Sequence, residues 1–185
     1  MKALEKSLAV FFLVMGISII FVWTMLLVSG DVPFSSADLF GFIFHWVSEL
    51  FLAVLSIVLS IALFSKREWA RTVCFYNLGM SVSSTFNAVY HYTFKAPALP
   101  LAAFTGLFFI ISIIFLVLGF KHFSFKDSLL QFGLFNIGLF LYLALNLAGL
   151  QGQQGEWAFF AILIFLICTC LFFVFRLVGL NKKTA

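Results

Sequence analysis

Charge is scarce in this sequence. Asp, Glu, Lys and Arg make up 10% of its 185 residues, where a soluble domain carries roughly a quarter. Proline occurs three times, at Pro33, Pro97 and Pro100, and each falls in a break between apolar runs, so none interrupts a helix. The three cysteines, Cys74, Cys168 and Cys170, exclude a disulfide framework, because none sits in a predicted external loop and an odd number leaves one unpaired. Cys168 and Cys170 are two residues apart on a predicted helix, pointing about 200° apart, and act as small apolar filler rather than a redox pair. No Gly-rich phosphate loop, G-x-S-x-G elbow or H-E-x-x-H helix is present, which removes the nucleotide, serine-hydrolase and zinc-protease signatures.

What fills the chain is apolar. Hydrophobic residues account for 64%, 28 of them phenylalanine, and the mean hydropathy is +1.17. A soluble core cannot bury this much apolar surface, so lipid must cover much of it. Six long apolar runs are separated by short polar breaks, and they predict helices over residues 7–29, 39–64, 72–94, 101–120, 128–149 and 157–180. The first run exceeds 20 residues, too long for a signal-peptide core of about 7–15 residues. The expected fold is an all-α polytopic membrane protein, a six-transmembrane-helix bundle forming a single integral membrane domain over residues 1–185. The lipid bilayer is its first partner.

Orientation follows from the loops. Lys2, Lys6, Lys66, Arg67, Arg71, Lys121, Lys126, Arg176, Lys182 and Lys183 lie on the side of the N-terminus, and Lys95 alone lies opposite. Short basic loops stay cytoplasmic, so both termini are expected in the cytoplasm and the chain in a cell (inner) membrane. Topology thereby accounts for the net charge of +4 and leaves no case for a nucleic-acid partner. Trp23, Trp69 and Trp157 fall near predicted helix ends, as an interfacial belt would place them.

Two of the runs carry polar groups where lipid-facing helices would not. On helix 2, His45, Ser48, Glu49, Ser56 and Ser60 share an arc of about 120° at 100° per residue. On helix 3, Asn77, Ser81, Ser84, Thr85, Asn87 and His91 share an arc of about 160°, with Phe75, Leu78, Val82, Phe86 and Val89 opposite. Such arcs turn into the bundle or a cavity. Glu49 lies ~15 Å past the start of helix 2, and Asn87 and His91 lie ~10 and ~5 Å below the outer end of helix 3. His45, Glu49, Ser84, Asn87 and His91 are therefore the candidate ligand- or proton-handling set. Ser48, Ser56, Asn77 and Ser81 form a structural polar stripe.

Three chemistries fit these residues. The first is a hydrogen-bonded network that locks helix 2 to helix 3. The second is a solute- or proton-handling site in which Glu49 titrates and a histidine relays. The third is a metal centre, such as zinc on His45, Glu49 and His91, whose residue types are valid ligands. Paired haem-ligating histidines are a further form of that third option. The expected role is an integral membrane protein that binds or translocates a small solute or ion between helices 2 and 3. The alternatives are a membrane-embedded enzyme or metal protein on the His45/Glu49/His91 cluster, or an accessory subunit of a membrane complex or homo-oligomer. On helix 5, Gly133, Gly138 and Gly149 with Tyr142 mark a face for close helix contact.

One pattern spans residues 10–120. Trp23 and Gly30 close helix 1, His45-x3-Glu49 opens helix 2, Trp69 follows in the basic loop, and Gly79-Met80 and Asn87 with Tyr90 lie in helix 3. It resembles small, uncharacterised bacterial multi-pass inner-membrane proteins. The resemblance implies a bacterial inner-membrane location and no particular activity.

Overall fold

A computed structural model describes residues 3–30, 39–95, 98–122 and 125–149. Within them the chain is entirely helical: α1 (Ala3–Ser29), α2 (Leu39–Phe64), α3 (Glu68–Tyr90), a π-helical turn (His91–Lys95), α4 (Leu99–His122) and α5 (Phe125–Gly149). The expected sixth helix, with Trp157, Cys168 and Cys170, lies outside the described residues. Three segments, Ala3–Ser29, His45–Phe64 and Leu99–Lys121, are long and apolar enough to cross a membrane.

The α2–α3 connection is tighter than its charge suggests. Lys66 adopts the left-handed conformation at φ 56°. The Lys66 N–H donates to Leu63 O at 3.0 Å and the Arg67 N–H to Ala62 O at 2.9 Å, the paired closure of a Schellman motif. Arg67 is extended and caps α3 with no side-chain hydrogen bond. Helix α3 therefore begins at Glu68, not at 72, and Trp69 and Arg71 lie in it rather than in a loop. The acidic Glu68 suits the positive end of the helix dipole. At the other end the α-helix stops at Tyr90 and widens into the π-helical turn, so the expected α-helix to 94 is corrected. Pro100 falls within the first turn of α4, where an absent N–H costs nothing.

Helix α3 is the centre. It packs against α5, α4 and α2, while α1 packs chiefly on α2. Residues Asn77 to Thr85 are all buried, apolar and polar alike, so the apolar side expected opposite the polar arc faces protein as well. The outer helices have the opposite character. Val10, Val14, Ile17, Phe21, Met25 and Val28 are exposed along α1, and Ile43, Val47, Phe51, Val54, Val58 and Ile61 along α2. Steps of three and four residues make each set a single stripe on its helix.

Glycines set the closest approaches. A methyl group on Gly79 would run into the carbonyl oxygen of Phe135, and one on Gly138 into that of Tyr76. The backbones of α3 and α5 are therefore in contact, as small residues permit. Gly133 is a correction: it is exposed, and a methyl group there would meet nothing within 4 Å. At the α1–α2 crossing, a Cβ on Gly16 would lie 2.8 Å from Ala53 O.

Candidate functional site

The buried side of α2 carries its polar residues. Ser48, Glu49, Ser56 and Ser60 are all buried, opposite the exposed apolar stripe of the same helix. Helical period alone puts them there: 49, 52, 56, 60 and 63 follow one another in steps of three and four.

Glu49 is the junction of three helices. Its Oε1 accepts a hydrogen bond from Ser84 Oγ of α3 at 2.6 Å and a second, short one from the Tyr142 hydroxyl of α5. Glu49 is 7% exposed and Tyr142 fully buried. Both partners are hydroxyls, so neither brings a compensating charge. Tyr92, on the π-helical turn, lies within electrostatic reach of the same carboxyl group.

About two turns along, a second contact joins the same helices. Asn77 Nδ2 donates to Ser56 Oγ at 2.9 Å, and Ser56 Oγ donates its own proton to Leu52 O at 2.7 Å. Ser83 Oγ reaches across to Leu139 O of α5 at 3.2 Å. Three further hydroxyls bond back to their own helix: Ser48 to His45 O at 2.8 Å, Ser81 to Asn77 O at 2.7 Å, and Thr85 to Ser81 O at 2.7 Å. These groups return a hydrogen bond to the preceding turn of their own helix.

The histidines are placed elsewhere. The His45 ring packs edge-on against Trp23 of α1, 5.7 Å between centroids. His91 is exposed and stands edge-on to Tyr92, and its backbone N–H donates to Ala88 O and Asn87 O. Among the described residues no three His, Cys, Asp or Glu side chains gather as a metal-holding group, so His45, Glu49 and His91 do not form the expected centre. Of the expected handling set, Glu49 and Ser84 meet, and neither Asn87 nor either histidine is among the hydrogen-bond partners of Glu49. Tyr142 was outside that set. Its position four residues after Gly138, on the face that touches α3, was the available signal.

Among the described residues the protein is all-helical, with three helices fit to cross a membrane and a buried carboxyl group where three helices meet. The chain belongs to the family described as a domain of unknown function (DUF8058), whose model matches residues 1–129. That match covers α1 to α4 with Glu49 and Ser84, and stops short of Tyr142. No curated protein and no solved structure matches the chain significantly.

Proposed function

We propose that this chain is a six-span inner-membrane protein, with both termini cytoplasmic, that binds or translocates a small solute or ion at the α2/α3/α5 junction, with Glu49 as the group that changes charge. The observation that carries this reading is the Glu49 carboxyl group, buried between two hydroxyl donors and, among the described residues, without a cation paired to it. An uncharged pair of donors suits a group that must gain and lose a proton or a cation. A purely structural lock would need only the Asn77–Ser56 type of contact, which costs less to bury than a carboxylate.

The membrane part of the reading is supported by the exposed apolar stripes of α1 and α2, which water would not tolerate at this extent. The orientation is supported by the basic residues at the α1 start, the α2–α3 turn and the α4 end. Arg71 Nε lies 2.8 Å from Glu5 Oε1, tying the first turns of α1 and α3 together on that side.

Proteoliposomes carrying the full chain and a trapped pH dye test the reading under an imposed membrane potential, with and without a panel of small solutes. Wild-type protein should pass protons or a coupled solute. Glu49→Gln keeps the shape and should lose the flux while remaining folded. Equal flux from wild type and Glu49→Gln would sink the reading.

A further inference from the structure

Below Glu49, toward the cytoplasmic end, two buried polar atoms have no hydrogen-bond partner: Asn77 Oδ1 of α3 and Ser60 Oγ, one turn past Ser56 on α2. Asn77 is fully buried and Ser60 is 1% exposed. The orphan on Asn77 is imposed by proton count. Ser56 has one hydroxyl proton. If it goes to Leu52 O, Asn77 must present its NH2 and its carbonyl is left over. If the amide is turned round and takes that proton, its NH2 is left over instead. Buried polar atoms of this kind are ordinarily met by ordered water.

The spacing fits water. Along α3, Ser84, Ser81 and Asn77 follow in steps of three and four residues, a rise of ~4.5 and ~6 Å. On α2, Ser56 to Ser60 is another ~6 Å. Two hydrogen bonds of about 2.8 Å through one water span ~5.6 Å. Ser60 is then four residues from the end of α2, again ~6 Å. Above Glu49, toward the outer side, α2 carries the half-buried rings of His45 and Trp46, with Trp46 Nε1 a further buried atom without a partner.

We propose that Ser84, Ser81, Asn77, Ser56 and Ser60 line a single file of water that connects Glu49 to the cytoplasmic face, so that Glu49 exchanges its proton with the cytoplasm. This rests on the reading of Glu49 as a titrating group. The Glu49 O–H bond breaks and its proton passes to the adjoining water. Each water in turn forms one O–H bond and gives up another. One proton leaves at the cytoplasmic end, a carboxylate remains, and no electron moves. Among the described residues, the ionisable groups near Glu49 are Tyr142 from α5, Tyr92 from the π-helical turn and His45 one turn away on α2 itself. The charged residues of α1 and of α3, Glu5, Lys6, Glu68 and Arg71, stand at the cytoplasmic ends, and α4 is uncharged from Leu99 to Phe120.

The test uses full-length protein in oriented vesicles and the infrared carboxyl band assigned to Glu49 by its loss in Glu49→Gln. After a pH step on the cytoplasmic side, the wild-type band should respond faster than after the same step outside. Asn77→Leu should slow that response about tenfold or more, the equivalent of ~1.4 kcal/mol of barrier, with an unchanged titration midpoint. Ser60→Val should do the same and serves where Asn77→Leu does not fold. Asn77→Ser, which restores a hydroxyl and room for water, should recover most of the rate. A band that does not change with pH overturns the reading of Glu49 itself. A band that titrates at rates indifferent to Asn77 and Ser60, or faster from outside, overturns the water path alone.

Discussion

Helices α1 and α3 are of similar length, 27 and 23 residues, and differ in nearly everything else. Helix α1 is apolar throughout its middle, and much of it is exposed. Helix α3 carries Asn77, Ser81, Ser83, Ser84 and Thr85 and is the most enclosed helix of the described residues. In water the hydrophobic effect would bury α1 and expose α3. In lipid that drive between helices vanishes, and close packing and the need to satisfy polar groups decide which helix goes inside. The inversion of the two helices is therefore what a bilayer solvent would select.

The contrast can be broken most severely at the α3–α5 contact. Gly79→Ala or Gly138→Ala places a methyl group against a backbone carbonyl that cannot swing away, and should cost ~3 kcal/mol or more, above the ordinary overpacking range. Gly133→Ala, in open space on the same helix, should instead be neutral or stabilising by ~0.5–1 kcal/mol. Thermal unfolding in detergent reads both, and equal effects would deny that α3 and α5 touch. Next in size is Tyr142→Phe. It leaves Glu49 Oε1 with one hydroxyl donor and should cost ~1–3 kcal/mol, as removal of one partner from a buried polar group does. A loss no larger than that of Tyr76→Phe, on the half-exposed part of α3, would remove Tyr142 from the site.

Smaller effects sharpen the edges of the central helix. Lys66→Gly relieves a side chain held in the left-handed region and should stabilise by ~0.5–1 kcal/mol; destabilisation would show that the Lys66 side chain makes a contact worth more than the strain. Smallest is the Glu5–Arg71 pair that ties the outer helix to the inner one. A Glu5→Ala/Arg71→Ala double-mutant cycle should give a coupling of ~0.2–1 kcal/mol that falls with added salt. A coupling insensitive to salt would place the pair in a drier setting than its exposure indicates.

The bounds of α2 are legible in the sequence because turn residues bracket it on both sides, and the structure has them at the same positions, 39 and 64. The start of α3 is not, because Glu68-Trp69-Ala70-Arg71 reads as a charged loop. Its helical state depends on Lys66 accepting a conformation that most residues avoid. The end of α3 is blurred by the π-helical turn that leads toward Pro97. The polar arcs of α2 and α3 are legible from period alone. Which members meet is not: a wheel places Glu49 and His45 on one face, but helix rotation and neighbours turn the Glu49 carboxyl group to Ser84 and the His45 ring to Trp23. Tyr142 is less legible still, since apolar runs do not reveal that α5, rather than α4, closes over Glu49.

The two donors to Glu49 also differ in when they exist. Ser84 lies 35 residues further along the chain and Tyr142 lies 93. A ribosome delivers them in that order. The tight turn at Lys66 makes α2 and α3 a hairpin, so the acid acquires its first hydroxyl from the adjoining limb as that hairpin forms. Throughout the synthesis of α4 and the first half of α5, Glu49 has one donor from its own hairpin and none from beyond it. Arrival of Tyr142 is thus the step that distinguishes a merely inserted chain from an assembled one.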